Sequence, residues 1–144
     1  MEFREQPSVA RLNELGRRTL GAHLGIEFRA VGKDWLEAIM PVDHRTVQPM
    51  GLLHGGASVA LAETLGSVAS YLMIDPNSHN AVGLEINANH VRAVRDGEVV
   101  GRVRPLHLGR TTHVWEIRIS DAQERLVCIS RLTVAIQEKR EKAR

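Results

Sequence analysis

Between Gly55 and Met73 the chain carries a single charged side chain, Glu63; the rest of the run is Gly, Ala, Ser, Thr, Val, Leu, Tyr and Met. A helix this apolar must be covered by other parts of the chain. The embedded carboxylate and the many small residues suit a buried core helix better than a membrane span. The run opens with His54-Gly55-Gly56 and stops at Asp75-Pro76-Asn77-Ser78. What can cover it lies on either side. Ile26–Val31 and Trp35–Val42 read as two strands about the turn Gly32-Lys33-Asp34. Beyond the helix, residues 82–90, 99–106, 111–120 and 125–136 alternate or are rich in β-branched residues, with turns at Asp96-Gly97 and 121–124. One long apolar helix among antiparallel strands predicts an α+β fold, a curved sheet wrapped around one central helix.

The remaining segments are short. Residues 8–20 predict an amphipathic helix capped by Ser8, with Val9, Leu12 and Leu15 at helical spacing and Gly21 and Gly25 as breakers. Asp43–Met50 reads as a loop. At 144 residues, with no linker, repeat or low-complexity stretch, one domain over 1–144 is expected. Aromatic residues are only 3%, so the core rests on Val, Leu, Ile and Ala. The formal net charge of +2 equals the charge of the tail 137–144, expected to be frayed and solvated. The body is neutral, which argues against nucleic acid as partner. A single cysteine, Cys128, excludes an intrachain disulfide and a thiolate zinc cluster; in a strand it reads as packing. No signal peptide is visible, and a cytoplasmic location without membrane association is expected.

Glu63 draws attention because a carboxylate in apolar surroundings is costly unless paired, and groups kept at such cost concentrate where chemistry is done. On the helix, Leu61, Leu65, Val68 and Leu72 form an apolar stripe. Glu63 lies roughly opposite, with Ser67, Ser70, Gly56 and Ala60 on its side, leaving room for a second helix or a ligand. The glycine pair at the helix start offers free N–H groups and partial positive charge. From the residues alone, Glu63 stays open between a reacting group and a structural acid satisfied by Ser67 and backbone. Similarly, His54 stays open between a site residue and a polar helix start, and Ser67 between a site hydroxyl and packing. His90, His107 and His113 lack a tight ligand spacing, so no metal is expected. No phosphate-loop motif is present.

The stretch Gln48-Pro49-Met50-Gly51-Leu52-Leu53-His54-Gly55-Gly56-Ala57-Ser58, followed by Ala62-Glu63-Thr64-Leu65-Gly66-Ser67, resembles the signature of hotdog-fold thioesterases. Val82–His90, Pro105–Gly109 and Ser130-Arg131-Leu132 resemble the same family, so the likeness runs from about Gly25 to Ile136. The chain is most similar to the 4-hydroxybenzoyl-CoA type that uses a helix glutamate, and within it to 1,4-dihydroxy-2-naphthoyl-CoA hydrolases. The resemblance implies hydrolysis of an aromatic or hydrophobic acyl-CoA, with coenzyme A as part of the substrate and no separate cofactor. It implies Glu63 as nucleophile or general base, the Gly55 N–H polarising the thioester carbonyl, Gln48 and His54 near the reacting group, and Ser67 beside it. It implies that Gly83, the segment His90, Val91, Arg92 and Ala93, and the segment His107, Leu108, Gly109, Arg110, Thr111 and Thr112 hold the CoA portion. It further implies a homo-oligomer, a tetramer built from dimers, with sites shared between subunits.

Spacing adds a constraint of its own. Gly55 and Glu63 are eight residues apart, about 12 Å along one helix. One thioester cannot touch both, so if both act, two subunits must supply them. Gly66 in mid-helix would let two helices pack closely. The rival readings are proofreading of misloaded carrier proteins, a non-catalytic acyl-CoA-binding protein, and a dehydratase on the same fold.

Overall fold

The computed structural model describes residues 1–140. Among these the order is α1 (Val9–Leu15), α2 (Leu20–Leu24), β1 (Glu27–Val31), β2 (Leu36–Pro41), α3 (Gly55–Met73), β3 (His79–His90), β4 (Glu98–Leu108), β5 (Thr112–Ser120) and β6 (Leu126–Glu138). The strands form one six-stranded sheet in the order β1-β2-β4-β5-β6-β3, antiparallel throughout. The sheet wraps α3, which packs against β2 to β6. This is the hotdog arrangement.

The expected long helix matches α3 at both ends, because its start and stop are written locally. His54 has extended backbone and caps the helix with its own ring, Nδ1 accepting from the Gly56 N–H at 2.7 Å. Asp75 ends it by turning the chain back through bonds from Asn77 and His79.

The buried face of α3 differs from the expected stripe. Leu61 and Leu65 are fully buried, but the rest of that face is Ala57, Ser58, Ala62, Gly66, Ala69 and Ser70; Val68 and Leu72 are only half-buried. The face is thus rotated toward the small residues, which allows the helix to lie close to the sheet. Gly66 serves this approach rather than a second helix: a Cβ there would sit 2.5 Å from Leu132 Cδ2 of β6. Ser70 likewise leaves the Glu63 side. It is fully buried, accepting from Trp115 Nε1 at 2.7 Å and lying 3.1 Å from His113 Nδ1. That network is the polar interior of the core, and it absorbs one of the three strand histidines.

Two terminal expectations also change. The expected 8–20 helix is shorter, and a second helix follows it. Ser8 caps α1 as expected, but the helix ends at Gly16, and Gly21 lies inside α2. Gly25 closes α2 at φ 74°, a conformation glycine adopts without strain. At the other end, β6 runs to Glu138 and the Lys139 N–H still bonds Ser78. The tail is therefore ordered to that point, and 141–144 lie outside the described residues.

If the rotated face carries the packing, Leu65→Ala should lower the free energy of unfolding by about 2–5 kcal/mol. Leu72→Ala should cost less than half as much as Leu65→Ala, as read by urea denaturation of the two variants side by side.

Candidate active site

Glu63 sits on the flank of α3, half-buried. It faces β3, where a Cβ on Gly83 would lie 2.5 Å from Glu63 Oε1. Only glycine leaves space for the carboxylate here. Just beyond Gly83 the β3–β6 register slips, with Gly83 opposite Val134 and Glu85 opposite Thr133, so Leu84 is the extra residue of a bulge. Ser67 and Glu63 line the same cleft on the outer side of the helix.

Glu63 makes no hydrogen bond or ion pair with another side chain among the described residues, and Ser67 does not satisfy it. The structural-acid reading therefore lacks its partner. Burial without compensation raises its carboxyl above the ordinary 4.5. A carboxylate left bare in this way is a stronger base than one held in a salt bridge.

The second cluster lies at the start of α3. The Gly56 N–H is taken by the His54 cap, while the Gly55 N–H has no intramolecular acceptor among the described residues. Of the two glycines, Gly55 alone has a donor free for a ligand. His90, the last residue of β3, lies over it: a Cβ on Gly55 would sit 2.8 Å from His90 Nε2. Gln48 belongs to the same cluster through the loop that precedes α3. Its N–H bonds Leu52 and its side chain accepts from the Met50 N–H. The exposed residues Val91, Arg92 and Ala93 follow His90, and the Leu53 N–H to Val94 bond ties this segment to the helix start.

The third group, His107–Thr112, is the β4–β5 turn, closed by the Gly109 N–H to Thr112 at 2.9 Å and held to β6 by the Ile136 N–H to Thr111. Register places it near Gly83: Thr112 pairs with Ala135, which pairs with Val82. His90 instead pairs with Cys128, seven residues further along β3, or about 23 Å. Within one chain, then, Glu63, Ser67, Gly83 and His107–Thr112 gather toward one end of the sheet. Gln48, His54, Gly55 and His90–Ala93 gather toward the other. The fold splits the expected site in two.

Sequence reasoning missed Tyr71 and the N-terminal segment, both of which line the cleft with Glu63. Tyr71 was within reach, since it follows Glu63 and Ser67 at one further turn. The N-terminal wall carries no motif that announces it. Cys128 is buried in β6, and no helix among the described residues is long and apolar enough to cross a membrane.

Residues 50–128 match the thioesterase superfamily. The chain belongs to that superfamily. It is 53% identical over 136 residues to a 1,4-dihydroxy-2-naphthoyl-CoA hydrolase of Escherichia coli, covering 94% of this chain and 99% of the relative. It is 53% identical to the proofreading thioesterase EntH of Cronobacter turicensis, over 94% and 98% of the two chains. The crystal structure of a variant thioesterase from Pseudomonas aeruginosa superposes with a TM-score of 0.94 at 50% identity, covering 96% of this chain and all of that one. The protein is a thioester hydrolase of hotdog fold.

The raised Glu63 carboxyl has a consequence for stability. A folded-state value above the unfolded one favours folding while the group is protonated, and that advantage is lost as pH rises through the folded value. Glu63→Gln should therefore melt at a higher temperature than the native thioesterase at pH 7. The gap should shrink as pH falls below 4.5, as thermal unfolding at the two pH values will read.

Proposed function

We propose that this thioesterase hydrolyses an aromatic or hydrophobic acyl-CoA at a site made by two copies of the chain. The observation that carries the reading is the bare Glu63 carboxylate on a cleft wall, on the same helix as a free Gly55 N–H but too far away for one carbonyl. In the proposed site the Gly55 N–H of one copy holds the carbonyl oxygen. Negative charge develops on that oxygen as the thioester is attacked, and a preset donor lowers the barrier by about 3–4 kcal/mol. Glu63 of the other copy either attacks the carbonyl carbon, giving a mixed anhydride that water then opens, or takes a proton from the attacking water. Both routes release a free acid and a thiol, without a separate cofactor. Gln48 and His54 flank the carbonyl from the first copy, and Ser67 stands beside Glu63.

The edge strand supports the pairing. β3 is the last strand of the sheet and twelve residues long, with Val82 and Leu84 exposed. It contains neither proline nor lysine to block another strand. Antiparallel pairing of β3 with a second copy, centred between Ile86 and Asn87, sets Gly83 opposite the other copy's His90. That brings Glu63 to the other copy's helix start and closes the gap within each chain. The CoA portion would then run between His90–Ala93 of one copy and Gly83 and His107–Thr112 of the other, with Arg92 and Arg110 available to its phosphates. Exposed Met50, Val91 and Leu106 leave further apolar surface for joining two dimers into a tetramer.

For the natural acyl group, the likeness to the naphthoyl-CoA hydrolase favours 1,4-dihydroxy-2-naphthoyl-CoA, in menaquinone synthesis in the cytoplasm. The equal likeness to the proofreading thioesterase supports a second reading, hydrolysis of misloaded carrier-protein thioesters. Comparing kcat/KM on the CoA and carrier-protein forms of one acyl group separates the two.

Thiol release from a panel of acyl-CoAs tests the site. Glu63→Gln should lose at least ~10³-fold in kcat. Gly55→Pro removes the N–H while suiting the first position of a helix and should lose about 10²–10³-fold. Mixing the two inactive variants under subunit exchange should restore about a quarter of native activity, because half of the pairs then hold one intact site of two. No recovery after verified exchange would place both groups in one chain.

A further inference from the structure

Glu63, Ser67 and Tyr71 follow one another by single turns along α3 and line a cleft of about 950 Å³. This is within the size range of small-molecule sites. Its opposite wall is the chain's own N-terminal segment, from Arg4 to Leu20.

The wall is held at three points. Phe3 is buried and its N–H bonds Lys33 at 2.7 Å, in the β1–β2 turn. The Arg4 N–H bonds Leu72 near the end of α3 at 3.0 Å. Asn13 of α1 clamps Phe28, Nδ2 donating to its carbonyl at 3.0 Å and Oδ1 accepting from its N–H at 2.8 Å. These bonds set the width of the cleft.

Its shape suits one part of the substrate. From Glu63 the cleft follows the helix to Leu72, about 13 Å, and it ends against Asp75–Asn77 and the Arg4–Gln6 strap. Leu12, Phe28 and Val68 make its middle apolar. Among the described residues, three of the nine exposed large hydrophobic side chains, Leu15, Leu20 and Tyr71, rim it. Clustered exposed apolar side chains next to a bare carboxylate mark a surface that a ligand covers. A polyanionic nucleotide gains little there, since the lining sets Glu5, Glu63 and Asp75 against Arg4 and Arg11 and so offers no net positive field.

We propose that the Arg4–Leu20 segment and α3 together form the acyl-binding cleft, and that Leu15 and Leu20 at its rim set the length of acyl chain accepted. The proposal rests on Glu63 being the reacting group, because the carbonyl must lie at the cleft's head for the chain to run down it.

The test uses Leu15→Trp and Leu20→Trp, both at exposed positions where a larger ring does not disturb the core; melting temperatures check this. Each should lower the ratio of kcat/KM for decanoyl-CoA to that for acetyl-CoA by about tenfold or more. Each should also weaken decanoate binding, by isothermal titration, to a similar degree. An unchanged ratio in both variants overturns the proposal. So does an equal loss on both substrates, which would place the shared CoA portion in the cleft. Absence of turnover by the native chain would sink the thioesterase site reading instead, and the decanoate titration would still decide on the cleft: weakened binding in the variants upholds it, and equal binding overturns it.

Discussion

The structure depends on how closely α3 lies in the curve of the sheet. The contact is made by small residues, Ala62, Gly66, Ala69 and Ser70, beside two fully buried leucines. Leu132 of β6 comes so near Gly66 that no side chain fits between. This close approach fixes the rotation of the helix about its axis. The rotation in turn carries Glu63 to the flank, neither sunk in the core nor turned fully to water. There it meets Gly83 of the edge strand on one side and an apolar cleft on the other. Its raised carboxyl follows from that position, and so does its bareness, since the hydroxyl of Ser70 that helical spacing had placed nearby is spent on Trp115.

A rigid helix also imposes a distance. The free N–H at Gly55 and the carboxylate at Glu63 ride on the same rod, and no adjustment of side chains closes about 12 Å between them. The sheet repeats the separation, because the segments flanking Glu63 and those flanking Gly55 pair with opposite ends of β6. The proposed pairing about the open edge of β3 would resolve both separations with one operation, and the exposed apolar side chains on that edge would give it a hydrophobic driving force.

Much of the architecture was legible in the chain because its punctuation is local. His54-Gly55-Gly56 and Asp75-Pro76 bound α3, Gly32-Lys33-Asp34 turns β1 into β2, and alternation marks the strands to within three residues at their ends. The candidate site was legible as a set of residue types: a lone acid, a glycine with a free donor, and a histidine cap. Errors arose where a residue's role is decided by what packs on it. Val68 and Leu72 were placed from spacing in one apolar stripe with Leu61 and Leu65, yet they pack only partly on the core and the sheet covers the neighbouring small residues. Gly66 was assigned to a helix partner and went to Leu132. The 8–20 helix was drawn as continuous because Val9, Leu12 and Leu15 share a period, while Leu15 remains largely exposed at the rim of the cleft.

By itself the amino-acid sequence determined the bounds of the central helix, the strands to within a few residues, and that one carboxylate would be stranded in an apolar helix. These follow from caps, turns and periodicity, interactions that span a few residues. Tertiary structure decided which face of that helix is buried, which glycine N–H stays free, and that the N-terminal segment walls a cleft beside Glu63. It also decided that the two halves of the candidate site lie toward opposite ends of the sheet within a single chain. Such features arise from strand order and register, which bring distant segments together in ways that no local pattern encodes.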